Sequence, residues 1–112
     1  LYKAHAAPMQ MVFYTANELP AQYKNDLFVT MRGSWNRRPP SGYEVVRVRF
    51  AAGKPVEVEP FLTGFLQEQG GQWTHSGRPV GLAMAKDGSL LVGDDTNGTL
   101  YRVSYGPAVT SR

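Results

Sequence analysis

Gly77-Arg78-Pro79-Val80-Gly81-Leu82-Ala83-Met84-Ala85 passes through Lys86 into Asp87-Gly88-Ser89-Leu90-Leu91-Val92-Gly93-Asp94-Asp95. Two short apolar runs around a glycine-bearing turn read as strand, tight turn, strand. Much of this unit recurs in the chain. Asp26-Leu27-Phe28-Val29-Thr30 matches Ser89-Leu90-Leu91-Val92-Gly93, and residues 43–50 after Gly42 match residues 99–105 after Gly98. The first match is a shift of 63 positions and the second, Arg47 to Arg102, a shift of 55, so the first copy carries eight extra residues between two strands. They fall in Arg32-Gly33-Ser34-Trp35-Asn36-Arg37-Arg38-Pro39-Pro40-Ser41-Gly42, which holds one of the two tryptophans. Repetition of an all-β unit predicts blades of a propeller.

Strands are predicted over residues 9–15, 27–31, 43–50 and 55–62, labelled A to D of a complete blade, with turns over 16–25 and 51–54. A second set covers 80–85, 89–93 and 99–105. Residues 1–64 thus form a four-stranded blade, 65–76 a polar connector, 77–105 a final three-stranded blade and 106–112 a tail. Lys86-Asp87-Gly88 and Thr96-Asn97-Gly98 supply residues that tolerate the positive φ of tight hairpins. Two blades do not close a ring, so the chain of 112 residues is read as a fragment. A three-stranded last blade suits a ring closed by a strand from elsewhere.

Composition narrows the function. A hydrophobic share of 42% marks a globular chain, while a net charge of +3, spread out except for Arg37-Arg38, argues against nucleic acid as a partner. The absence of cysteine excludes disulfides, thiolate metal sites and covalent c-type haem within this segment. No apolar run reaches membrane-spanning length, and Leu1-Tyr2-Lys3 lacks signal-peptide organisation, so any export signal is expected upstream.

Antiparallel order places the D-to-A and B-to-C connections at one rim. Lys3, His5, Arg32, Trp35, Asn36, Arg37, Arg78, Asp94, Asp95 and Asn97 all sort there, whereas the other rim receives short turns such as Lys86-Asp87-Gly88. Lys3, Arg32, Arg37 and Arg78 around a hollow, with Trp35 to stack, suit a flat, multiply anionic aromatic ligand. Each residue also has a plainer reading. Arg78 alone is more often solvated or salt-bridged, His5 a satisfied loop histidine rather than a base, and His75 an exposed loop residue, while Trp35 suits the cap of a core edge as well as a stacking surface. Asp94-Asp95 with Asn97 offers oxygens of the kind calcium prefers but not a full cage, so an Asx turn is favoured.

His5-Ala6-Ala7-Pro8, Gly33-Ser34-Trp35-Asn36-Arg37, Phe61-Leu62-Thr63-Gly64 and Gly77-Arg78-Pro79-Val80-Gly81 through Asp94-Asp95 resemble the C-terminal part of sorbosone dehydrogenases. These are pyrroloquinoline quinone (PQQ)-dependent sugar dehydrogenases related to soluble glucose dehydrogenase, and the resemblance runs from about His5 to Tyr105. It implies a six-bladed propeller, of which this chain is the last two blades. It also implies sugar oxidation by hydride transfer to PQQ, with calcium bound by the cofactor, a cytochrome or quinone as electron acceptor, and a periplasmic or secreted location. Arg78 matches a position contacting PQQ, and Lys3, His5, Arg32, Trp35, Asn36 and Arg37 fall beside the same pocket. Arg32 stands where relatives often carry histidine. The catalytic base and most calcium ligands belong to the N-terminal blades. Two other readings stay open: a non-catalytic propeller that binds a protein or glycan, and a lactonase-type propeller hydrolase.

Overall fold

The structure is a computed structural model that describes residues 6–34 and 40–105. The chain is all-β. Its strands are β1 (Pro8–Phe13), β2 (Leu27–Met31), β3 (Glu44–Ala51), β4 (Lys54–Leu62), β5 (Leu66–Gln69), β6 (Gln72–His75), β7 (Pro79–Met84), β8 (Leu90–Asp94) and β9 (Thr99–Val103). A four-stranded antiparallel meander of β1 to β4 is followed by the β5–β6 hairpin and a three-stranded meander of β7 to β9. The only helical element among the described residues is one 3-10 turn, Ala21–Tyr23.

The repeat inferred from residue matching is also a repeat of register. Phe28 faces Arg47 across β2 and β3, and Leu91, 63 positions after Phe28, faces Arg102 across β8 and β9. Twelve residues, 32–43, join β2 to β3, and four, 95–98, join β8 to β9, so the eight-residue insertion lies where the unequal shifts put it.

The main core lies between the two meanders. Alternation along the strands sends Phe28 and Val45 of the first sheet, and Leu82, Leu90 and Val92 of the second, into one cluster with Tyr14 and Leu19. β7 lies against both β1 and β2. Polar bonds stitch the same interface. The Tyr14 hydroxyl, fully buried, donates to the Gly88 carbonyl at 2.6 Å and accepts from the Leu19 N–H at 2.9 Å. Thr30 Oγ1 on β2 donates to the Val80 carbonyl on β7 at 3.1 Å. A second cluster on the far face of the first sheet holds Ala6, Val29, Met31 and Val46.

The connector expected over 65–76 is largely strand. Leu66-Gln67-Glu68-Gln69 and Gln72-Trp73-Thr74-His75 lack the β-branched pattern of a half-buried strand, because nearly every residue of this ribbon is exposed. The signal that marks it is Gly70-Gly71, whose φ values of 59° and 81° make the two-residue turn that such a hairpin needs. His75, expected in a loop, therefore sits on β6. The expected tail, 106–112, lies outside the described residues.

Candidate functional site

The Gly77-Arg78-Pro79-Val80-Gly81 and Asp94-Asp95 segments meet across β7 and β8. Pro79 pairs with Asp94, and the Asp95 N–H donates to the Arg78 carbonyl at 3.2 Å. Asp94 is nearly buried and organises the turn after β8. Its Oδ1 accepts from the Arg78 N–H at 2.7 Å and the Thr96 N–H at 2.9 Å, and its Oδ2 from the Asn97 amide at 3.0 Å. Gly77 packs tightly beside it, since a Cβ there would lie 3.1 Å from the Asp94 carboxylate and 3.0 Å from the Phe65 ring. This is the Asx turn favoured from the sequence. Both Asp94 oxygens are committed to it, which removes Asp94 as a ready cation ligand.

Asp95 has a different task. Its Oδ1 accepts from Arg78 Nε at 2.9 Å and its Oδ2 from Arg32 Nε at 3.0 Å. Arg32 follows β2 of the first sheet, while Arg78 and Asp95 flank strands of the second, so one carboxylate ties the two sheets together at a single rim. All three side chains are about one-third exposed, at 33%, 30% and 34%. The rim assignment thus holds for Arg32 and Arg78, and the plainer salt-bridge reading of Arg78 holds as well. Asp95, weighed in the sequence only for a turn or for calcium, is the residue that brings them together.

The electrostatics of this rim follow from those contacts. Burial by itself would raise the Asp95 carboxyl, but the hydrogen bond and charge of Arg32, joined by Arg78, hold it below the ordinary aspartate value of 3.8. Burial also pushes Asp94 upward, and the N–H groups of Arg78 and Thr96 with the Asn97 amide more than offset it. A carboxylate depressed in the folded state stabilises the fold above its unfolded value and loses that contribution as pH falls through its folded value. Melting temperature should therefore drop on acidification below about pH 4, and the Asp95→Asn variant should show a shallower drop than the parent. An unchanged acid slope in that variant would contradict the assignment.

The long β2–β3 loop is pinched at its base. The Gly33 N–H donates to the Ala6 carbonyl at 2.8 Å, the Arg32 N–H to Ala7 at 2.9 Å and the Ser34 N–H to Ser41 at 2.9 Å. The Ser41 N–H donates to Ser34 Oγ at 3.0 Å, and the Tyr43 hydroxyl donates to the Ser34 carbonyl. Tyr43 has φ of 60°, a costly conformation for an aromatic residue, and its ring lies over Gly33 and 5.0 Å from the ring of His75. Sequence reading missed Tyr43 and this neck. Paired glycines at Gly33 and Gly42, flanking a loop eight residues longer than its counterpart, were the available signal. Trp35, Asn36 and Arg37, which the neck carries, lie outside the described residues, as do Lys3 and His5.

The remaining surfaces divide by end. A cleft of about 400 Å³ lined by Ala16, Asn17, Glu18, Lys86, Asp87 and Gly88 lies at the opposite rim, away from Arg32 and Arg78. Among the described residues no group of three or more metal-ligating side chains is gathered, and no helix is long and apolar enough to cross a membrane.

An anionic quinone cofactor carrying carboxylates needs fixed cationic donors. Two guanidinium groups share the Asp95 carboxylate, while the neighbouring Asp94 carboxylate is taken up by backbone N–H groups and the Asn97 amide. Each arginine meets Asp95 through Nε, and its terminal nitrogens have no partner among the described residues. The described residues therefore fit such a ligand in donor type.

The profile of the TrAA12-like family matches residues 1–106. An uncharacterised protein of Borreliella burgdorferi is 38% identical over 104 residues, covering 91% of this chain and 27% of that protein. A pyrroloquinoline quinone-dependent pyranose dehydrogenase of Coprinopsis cinerea is 33% identical over 127 residues, covering 97% of this chain and 17% of the enzyme. Among solved structures, the holo form of the pyranose dehydrogenase PQQ domain from Coprinopsis cinerea matches with a TM-score of 0.58 at 30% identity, over 90% of this chain and 27% of that one. The chain thus spans about a quarter or less of the length of these relatives.

Proposed function

Because the chain belongs to the TrAA12-like family, we propose that it is part of a PQQ-dependent sugar dehydrogenase and supplies one cationic side of the cofactor site. The observation that carries this reading is the meeting of Arg32 and Arg78, from two successive sheets, on Asp95. PQQ, when bound, supplies a quinone able to accept a hydride from a sugar. The residues of this chain bind and orient. Arg78, with Arg32 beside it, would hold the cofactor carboxylates and place positive charge beside the quinone. Lys3, His5, Trp35, Asn36 and Arg37 belong to the same proposed pocket, with Trp35 as a wall or stacking surface.

The catalytic base and most calcium ligands are assigned to other parts of the parent protein, in a ring of six blades of which this chain is the last two. The substrate is an aldose, pyranose or sorbosone-type sugar, the electron acceptor a cytochrome or quinone, and the location periplasmic or secreted. Support comes from the named relatives and from the paired guanidinium donors at the rim. Removing a charge-assisted, bidentate-capable donor should weaken PQQ binding about 10- to 100-fold. Titration of the intact protein with PQQ, with and without Arg78→Ala, measures this by quinone absorbance. Equal affinity in the two proteins, or an intact protein that neither takes up PQQ nor reduces a dye with any aldose, would overturn the proposal.

A further inference from the structure

The β5–β6 hairpin has no part in the function proposed above, yet it stands on the same rim as Arg32 and Arg78. Its root is held to both sheets. The His75 ring lies 5.0 Å from Tyr43 of the first sheet, while the Asn97 amide of the second donates to the Ser76 carbonyl at 2.5 Å. The Ser76 N–H closes the root on the Phe65 carbonyl at 2.7 Å. Glu68 pairs with Trp73 and Leu66 with His75, so alternation puts Glu68, Trp73 and His75 on one face. The other face carries three glutamines and Thr74.

The chemistry of this arm is distinctive. Residues 66–75 contain no lysine, arginine or aspartate, and one carboxylate, Glu68. That composition does not suit phosphate, nucleic acid or an acidic peptide, all of which call for cations. The Glu68 carboxylate, across the ribbon from Trp73 and on its face, accepts from the hydroxyls of a neutral sugar. Trp73 is 44% exposed, and its indole has no ring stack or side-chain hydrogen bond among the described residues. An exposed indole beside the Glu68 carboxylate offers an apolar plate for the C–H face of a pyranose ring.

We infer that the β5–β6 hairpin is a carbohydrate subsite, in which Trp73 carries one pyranose ring of an oligosaccharide and Glu68, across the ribbon on the same face, takes its hydroxyls. Its place beside the reaction centre rests on the proposed dehydrogenase function, but binding itself does not. The test is calorimetric titration of the intact, PQQ-free protein with cellotriose, maltotriose and glucose, repeated for Trp73→Ala, Trp73→Phe and Glu68→Gln. Trp73→Ala should weaken trisaccharide binding about five- to tenfold while Trp73→Phe retains most of it, with melting temperature within about 1 °C of the parent.

Equal trisaccharide affinity in Trp73→Ala and parent, or no trisaccharide binding by the parent, overturns the subsite. So does self-association that Trp73→Ala abolishes, which would make the ribbon a contact between copies. A Trp73 effect on titration in a protein that shows no PQQ-dependent dye reduction would sink the dehydrogenase proposal and leave the subsite standing. Dye reduction with no Trp73 effect would do the reverse.

Discussion

Replacing Arg47 with alanine is expected to destabilise the protein by about 3–5 kcal/mol, because it strands a carboxylate that has little access to water. Arg47 and Asp26 are 6% and 5% exposed. The guanidinium meets Asp26 Oδ2 through Nη2 at 2.7 Å, Glu59 through Nη1 at 2.9 Å and the Gln22 carbonyl at 2.6 Å, and it lies 4.4 Å over the Tyr23 ring. Asp26 uses its other oxygen to accept the Phe50 N–H at 3.1 Å. Strand β3, the turn before β2 and strand β4 are therefore joined through one side chain. Arg102 provides the internal control. It occupies the equivalent position in the second sheet, but it and its partner Asp87 are 57% and 61% exposed. Its replacement should cost no more than about 1 kcal/mol. Urea unfolding of both variants measures the contrast, and similar losses at the two sites would refute the burial argument.

Gly42→Ala should cost about 2–4 kcal/mol and act on the neck of the β2–β3 loop. Gly42 has φ of 85°, and a Cβ there would sit 2.7 Å from the Gly33 Cα and 2.8 Å from the Ala6 carbonyl oxygen. Both obstacles are main chain, so no rotamer change relieves the contact, and Ala6, two residues before β1, would have to separate from the loop base. Loss of the Gly33 N–H to Ala6 bond would follow. A contrasting substitution is Gly53→Ala, where φ is also positive but a Cβ meets nothing within 4 Å. That change keeps only the conformational cost, about 1 kcal/mol. Thermal melting of the pair separates the contributions, and equal shifts would show that close approach at the neck is unimportant. Under the proposed function, Gly42→Ala should also weaken PQQ binding, since the neck carries Trp35, Asn36 and Arg37.

Legibility differed between the candidate residues for physical reasons. Arg78 and Arg32 were placed on one rim because antiparallel strand order alternates loop ends, and that rule needs only the strand count. Their common partner was harder to see. Asp95 looks like a turn residue in sequence, and only the approach of β7 to β2 brings Arg32, 63 positions away, to its second oxygen. The hairpin at 65–76 was hidden because its residues are polar on both faces, so hydrophobic alternation had nothing to report. Tyr43 was passed over as the first residue of a strand, whereas its positive φ and its place over Gly33 make it part of the loop base.

The amino-acid sequence alone determined the repeating strand unit, the eight-residue insertion and the rim on which Arg32 and Arg78 stand. Those depend on local alternation and turn chemistry, which neighbouring residues specify. Tertiary structure decided that Arg47 is buried and Arg102 exposed, that Asp95 is shared between two sheets, and that His75 rests on Tyr43. Burial and long-range pairing depend on which faces of different sheets are pressed together, and no short window of residues carries that information.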